Sequence, residues 1–185
     1  TESSLRITEI FYSLQGETKT LGMPTVFVRL TGCPLRCVYC DSAYAFTGGE
    51  RWVLSRILSE VASYQPRFVT VTGGEPLAQP HCLSLLSQLC DKGYEVSLET
   101  SGALCIQGVD ERVMTVMDIK TPGSGESHRN VWANVEHLSA SDHVKFVICD
   151  RGDYEWAVGV MNTYGLDKRC EVLFSPSFED VDGGQ

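Results

Sequence analysis

Six short β-branched runs recur along this chain, with stretches of helical period between most of them, and that alternation limits the fold more than any other feature. Residues 25–30 (TVFVRL), 68–71 (FVTV), 94–98 (YEVSL), 113–118 (VMTVMD), 143–148 (HVKFVI) and 171–174 (EVLF) read as buried strands. Residues 53–64, 81–92, 129–138 and 154–164 carry the 3.6-residue apolar period of helices. Asp91-Lys92-Gly93 closes the second of these with glycine where a helix usually ends. Strands alternating with helices predict an α/β chain with a mostly parallel sheet. The 185 residues suffice for one domain, 1–185, with a sizeable core.

In barrels built this way the loops at the C-terminal strand ends carry the chemistry, and the notable residues fall at those ends. After the first strand comes Cys33-Pro-Leu-Arg-Cys37-Val-Tyr39-Cys40-Asp41-Ser42, and after the second Thr72-Gly73-Gly74-Glu75-Pro76. Glu99-Thr100-Ser101-Gly102, Asp118-Ile119-Lys120 and Phe174-Ser175-Pro176-Ser177 end the third, fourth and sixth. Three thiolates on one tight loop can hold three irons of a [4Fe–4S] cluster and leave a fourth open to a chelating small molecule, whereas electron-transfer clusters usually take four cysteines. A structural zinc site is the alternative, but zinc takes four ligands in paired units, and no second cysteine pair follows at zinc-ribbon spacing. A disulfide pair or unrelated cysteines also remain open. The paired glycines read equally as a backbone approached closely by a ligand or as a turn in which Pro76 opens a helix.

The formal net charge is −9 and the pI about 4.9. No block of Lys or Arg forms the basic stripe of a nucleic-acid binder, so a small substrate is expected. No apolar run approaches the roughly 20 residues that span a bilayer, and Thr1–Arg6 lacks the apolar core of a signal peptide. A cytoplasmic setting is therefore expected, and with it reduced thiols. The other five cysteines, Cys82, Cys90, Cys105, Cys149 and Cys170, read as buried free thiols in apolar surroundings.

The cysteine spacing ending in Tyr39-Cys40, followed by TGGEP, resembles the radical S-adenosylmethionine (SAM) superfamily. The N-terminal segment narrows this. Leu14-Gln15-Gly16-Glu17, Arg29, the C-x3-C-x2-C-Asp run and TGGEP resemble the 7-carboxy-7-deazaguanine synthase (QueE) family, closely over residues 7–76 and more loosely over 99–122. The resemblance implies a partial (β/α)6 barrel of the radical SAM type. It implies a [4Fe–4S] cluster on Cys33, Cys37 and Cys40 whose free iron binds SAM, and a 5′-deoxyadenosyl radical as the only catalytic group beyond the cluster. Tyr39, Cys40, Asp41, Gly73, Gly74, Glu75, Ser101, Asp118, Ile119, Lys120, Ser175 and Ser177 would then surround SAM. The implied reaction converts 6-carboxy-5,6,7,8-tetrahydropterin to 7-carboxy-7-deazaguanine with release of ammonia and regeneration of SAM. Leu14, Gln15 and Gly16 would frame the pterin, Glu17 would meet its guanidine-like edge, Arg29 would grip its carboxylate bidentately, and Thr72 would make a polar contact. Arg29 could equally be a structural ion pair, as could Asp118 with Lys120.

The family also uses Mg2+, usually on a threonine after Cys-Asp. This chain has Ser42 there, a hard oxygen that suits Mg2+ without the methyl that restricts a threonine rotamer. Asp41-Ser42 could instead cap the following turn. The family normally ends in a segment bearing a histidine near the substrate, and the sequence to Asp182-Gly-Gly-Gln185 has none. A flavodoxin-like or ferredoxin-like reductant and a homodimer, covering the open edges of a partial barrel, are expected partners. A small activating enzyme that makes a glycyl radical on a partner protein shares the cysteine spacing and a short barrel. Gln15-Gly-Glu17 with Arg29 argue against it, because a macromolecular substrate needs an open face. The remaining alternative is a non-catalytic cluster or zinc protein.

Overall fold

A computed structural model describes residues 2–177. Eight strands form one sheet: β1 (Ser4–Leu14), β2 (Pro24–Leu30), β3 (Glu50–Val53), β4 (Phe68–Gly73), β5 (Glu95–Thr100), β6 (Met114–Asp118), β7 (His143–Ile148) and β8 (Glu171–Pro176). Their order is β3-β1-β2-β4-β5-β6-β7-β8. From β2 through β8 every pairing is parallel, while β1 pairs antiparallel with β2 and with β3. The six parallel strands are the six β-branched runs. β3 and β8 are the free edges, so the sheet is a partial barrel. The two antiparallel strands were not expected, although Leu5 and Ile7, both buried, carry the period-2 pattern of a strand.

The alternation inside the strands sets what each face meets. In Phe68-Val-Thr-Val-Thr72, Val69 and Val71 join the core beneath α1 (Leu54–Ser63) and α2 (Cys82–Asp91), together with Val26, Val28, Leu98, Ile57, Val61 and Leu86. Each such fully buried leucine or isoleucine contributes roughly 1.5–3 kcal/mol. Thr70 and Thr72, one residue off, point to the opposite face and are buried as well. That inner face is polar: Thr70 bonds Ser97 of β5 at 2.8 Å, and Thr72 reaches Glu99. A second core packs α3 (Arg151–Tyr164) on β7, around Phe146, Val144 and Ala157. α2 ends at Lys92 with Gly93 at φ 86°, the left-handed residue that the sequence placed there.

One expected helix does not form. Residues 129–138 hold two short 3-10 turns, Ser127–Arg129 and Trp132–His137. Asn134, fully buried, bonds the Ile106 amide and the Gly102 and Leu104 carbonyls. Asn130 likewise bonds both the amide and carbonyl of Lys120. Side chains that hydrogen-bond distant backbone compete with the helical ladder, and here they tie the segment to the β5–β6 and β6–β7 connections.

Candidate active site

The cysteine loop leaves β2 and is anchored before it reaches solvent. Leu35 is buried in its middle. The Arg36 guanidinium lies 4.2 Å over the Phe46 ring and donates through Nη1 to the Cys33 and Leu35 carbonyls at 2.8 and 2.6 Å. The Arg36 amide donates to Glu126 Oε1 at 2.6 Å, and the Val38 amide to the Ser124 carbonyl at 3.1 Å. Residues 123–126 are thus a buttress. Ser124 is fully buried, and Gly123 is held by Asp153 of α3.

Cys33, Cys37 and Cys40 are free and half-buried, and all three border one cavity of about 710 Å³ at the C-terminal ends of the parallel strands. Burial pushes the Cys33 and Cys37 thiols up, and the Lys120 ammonium opposes it. Among the described residues, no three His, Cys, Asp or Glu side chains close on one point as a single ion requires. A cluster takes each thiolate on a different iron, so three spread thiols on one loop fit a cluster better than zinc.

The glycines of Thr72-Gly-Gly-Glu75 answer to that loop. A Cβ on Gly73 would lie 2.3 Å from the Leu30 carbonyl oxygen, and one on Gly74 would lie 2.4 Å from the Gly32 oxygen and 2.7 Å from Cys33 Cβ. Only glycine lets the β4 end pass beneath the cysteine loop. The next residue, Glu75, turns inward and is fully buried. Its carboxylate accepts from the Leu77 amide, Thr100 Oγ1, the Ser101 amide and Ser101 Oγ. One acidic side chain thereby locks the β4 and β5 ends together.

Beside the cysteines the wall holds Tyr39, Asp41, Ser42, Gly73, Gly74, Ser101, Asp118, Lys120, Ser175 and Ser177. Lys120 Nζ bonds Asp118 Oδ2 at 2.9 Å and lies 5.7 Å from the Tyr39 ring centroid. Burial opposes the Lys120 charge, but Asp118 and Cys37 outweigh it, so the ammonium is held. Burial also pushes the Tyr39 phenol well above its usual range, so it stays protonated. Tyr39 Oη and Asp118 Oδ1 are buried with no hydrogen-bond partner among the described residues. Buried polar atoms are nearly always satisfied, so a donor and an acceptor left over at one cavity wall, next to three thiols, suit a polar ligand such as SAM beside a cluster.

The same cavity is lined as well by Glu17, Arg29, Thr72, Glu99 and Lys145. Arg29 Nε donates to Glu9 Oε1 at 2.8 Å, and Tyr44 Oη donates to the same oxygen at 2.6 Å. Those bonds hold the Glu9 carboxyl below its usual range, the Tyr44 contact first and Arg29 after it. The Nη atoms of Arg29 carry no hydrogen bond among the described residues, so Arg29 is at once an ion-pair partner and an open fork on the wall. Thr72 Oγ1 donates to Glu99 Oε2 at 2.9 Å. Lys145 Nζ bonds Glu17 Oε2 at 2.9 Å. Burial pushes the Glu99 carboxyl up, and Lys145 and Thr72 pull it back.

Leu14, Gln15, Gly16, Glu75 and Ile119 stand off the cavity wall. Leu14 and Gly16 are exposed at the β1–β2 connection. Gln15 is buried below the site, donating to Thr70 Oγ1 at 3.2 Å and accepting from the Glu17 amide at 3.3 Å, so it sets the floor and the Glu17 backbone. Ile119 is packed in the second core. Lys145 and Phe46 were missed in the sequence, and Glu99 was noted only as a strand end. The signal for Lys145 was a lone charge at an alternate position of HVKFVI, which in a strand covered on both faces has to point into a polar interior.

The strand-end thiol triplet, the glycine pair beneath it and the polar barrel interior define a radical SAM protein, and residues 27–162 match the Radical SAM superfamily. The chain is 43% identical over 177 residues to the 7-carboxy-7-deazaguanine synthase of Koribacter versatilis, covering 94% of this chain and 78% of that protein. It is 40% identical over 185 residues to the 7-carboxy-7-deazaguanine synthase of Chlorobaculum tepidum, covering 98% and 84%. The crystal structure of QueE from Escherichia coli shares the fold, with a TM-score of 0.79 and 23% identity over 94% of this chain and 84% of that one. The chain belongs to the 7-carboxy-7-deazaguanine synthase family. These relatives do not favour the glycyl-radical activating enzyme. Residues 178–185, where the sequence carries no histidine, lie outside the described residues.

Proposed function

We propose that this chain converts 6-carboxy-5,6,7,8-tetrahydropterin to 7-carboxy-7-deazaguanine and ammonia. The observation that carries the reading is the division of one cavity. Part of its lining has three thiols and unpaired polar atoms, and another part has an open guanidinium fork with two carboxylates. Cys33, Cys37 and Cys40 are the residues to hold a [4Fe–4S] cluster. Tyr39, Asp41, Gly73, Gly74, Ser101, Asp118, Lys120, Ser175 and Ser177 are those to surround SAM, with Glu75 positioning Ser101 from behind. Cluster and SAM supply, when bound, a carbon-centred radical that takes a hydrogen atom from the substrate.

The chain's own residues do the rest. Arg29 presents two Nη donors to the substrate carboxylate, a charge-assisted bidentate pair. Glu17 accepts from the guanidine-like edge, with Gln15 fixing its backbone. Glu99 is the wall carboxylate able to move a proton: Thr72 holds Oε2, and Oε1 takes a proton from a ring carbon and returns it to the departing amine, so that ammonia is all the ring loses.

Turnover of the reconstituted protein with SAM, reductant and the pterin, read by mass spectrometry, tests this, and SAM cleavage without 7-carboxy-7-deazaguanine would sink the substrate assignment. Arg29→Ala is expected to lower kcat/KM for the pterin by about tenfold to a hundredfold, the worth of a charged hydrogen bond, with iron content unchanged. Loss of iron would show that Arg29 supports the cysteine loop instead.

Mg2+ belongs to the same reading. Ser42 Oγ lines the cavity and donates to Asp41 Oδ1 at 2.7 Å, two hard oxygens of the kind Mg2+ prefers. Ser42→Ala should weaken Mg2+ stimulation at least about tenfold, the loss typical of removing even an outer-shell partner, while Ser42→Thr retains it. Equal stimulation in both variants removes Ser42 from the metal site. The reading also includes a flavodoxin-like or ferredoxin-like electron donor, a single domain, a cytoplasmic setting and a homodimer that covers a free sheet edge. No described helix is long and apolar enough to cross a membrane.

A further inference from the structure

Lys145 lines the cavity beside Glu17, Arg29 and Glu99, and the proposed chemistry does not use it. It stands on β7 beside Asp118 of β6 in register, and its Nζ bonds Glu17 Oε2 of the β1–β2 connection at 2.9 Å. Its side chain is 16% exposed, which is costly for an ammonium unless carboxylates surround it. Here they do. Burial opposes the Lys145 charge, and Asp118, Glu17 and Glu99 together outweigh it. The Asp118 carboxylate is already engaged by Lys120 at 2.9 Å. Glu99 has one oxygen on Thr72 and lines the same cavity as Lys145, Glu17 and Arg29. Lys145 is therefore ion-paired with Glu17 and is a cation of the cavity that Glu99 also lines.

We propose that Lys145 is a positioning residue of this site, fixing the Glu17 carboxylate for the substrate edge and balancing the Glu99 carboxylate in the cavity they both line. It acts through these two residues and need not touch the reacting atoms. The inference rests on the functional reading above only for the identity of the substrate.

The sign of the effect follows from the groups around Glu99. Burial and Glu17 raise its carboxyl, and Lys145, Thr72 and Arg29 lower it. Removing the Lys145 charge leaves Arg29 as the remaining cation, so Glu99 should protonate at higher pH. In Lys145→Met the Glu99 carboxyl should titrate at higher pH, because an opposite charge that favours its ionised form is gone. The acid limb of the kcat/KM profile should move the same way. The pterin KM should rise about tenfold or more, because Glu17 loses a charge-assisted bond, while the KM for SAM stays constant. Lys145→Arg should restore the profile. A purely structural lysine would move neither the acid limb nor the split between the two KM values.

The deciding measurement is the titration of the Glu99 carboxyl by NMR of 13C-glutamate-labelled, cluster-reconstituted protein, with Glu99→Gln assigning the resonance. Lys145→Gln reads the same effect if the methionine variant does not fold. An upward shift reversed in Lys145→Arg supports the proposal. An unchanged titration, or an unchanged pterin KM, overturns it. If the wild-type protein yields no 7-carboxy-7-deazaguanine, the functional reading fails. The NMR titration, which needs no turnover, still decides Lys145: a shift upholds its hold on Glu99, and its absence refutes it.

Discussion

Cys37→Ala is expected to bring bound iron and formation of 5′-deoxyadenosine down to background while leaving the fold intact. The second half of that statement comes from the loop's construction. Its anchors are backbone and arginine contacts: the Arg36 amide to Glu126, Arg36 Nη1 to two carbonyls, and the Val38 amide to Ser124. None of them uses the Cys37 sulfur. Removing that sulfur deletes one thiol from the cavity and leaves the loop where it was, with two sulfurs in place of three. Circular dichroism and thermal melting should match the parent, and anaerobic reconstitution should fail to load the cluster. Cys105→Ala is the control, because Cys105 is exposed and stands off the cavity. Full iron loading and SAM cleavage in Cys37→Ala would refute the ligand assignment. Iron lost equally in Cys105→Ala would point to general thiol damage.

The strands and their ends were legible because the chemistry and the periodicity coincide. A run such as FVTVT alternates, yet is buried throughout. A sequence reading takes that as a strand covered on both faces, and the functional residues then fall where each run stops. The segment around Asn134 was not legible, because its apolar period is genuine while its asparagine spends three hydrogen bonds on other loops. Nothing local announces such partners. Lys145 was hidden for a related reason. Its meaning depends on Glu17, 128 residues away in sequence, reaching back from the β1–β2 connection to meet it. The glycine pair was found for a reason that is only half of the physics. A ligand is one cause of close approach, but here the cysteine loop itself fills the space where a side chain would go. The motif Thr72-Gly-Gly-Glu75 and the triplet Cys33–Cys40 are therefore two halves of one packing arrangement, which is why their joint occurrence says more than either alone.

That arrangement makes Glu75→Ala the most damaging change expected away from the thiols. The carboxylate is fully buried and is the shared acceptor for the Leu77 amide, the Thr100 hydroxyl and the Ser101 amide and hydroxyl. Alanine removes the acceptor and strands these donors away from water, each worth about 1–3 kcal/mol when buried and unsatisfied. Relaxation and entering water recover part of this, so a net loss of roughly 3–5 kcal/mol is expected, at the high end for single substitutions. The damage should also reach the cavity, because Ser101 lines it and Gly74, next to Glu75, lies against Gly32 and Cys33. Glu75→Gln separates the two effects. An amide keeps one carbonyl acceptor but faces Thr100 and Ser101 with an NH2, so stability should recover in part while SAM binding stays weakened. Urea unfolding and SAM titration of both variants measure this. A Glu75→Ala protein with parental stability would mean that the donors find other acceptors, and that the β4 and β5 ends hold together without the carboxylate between them.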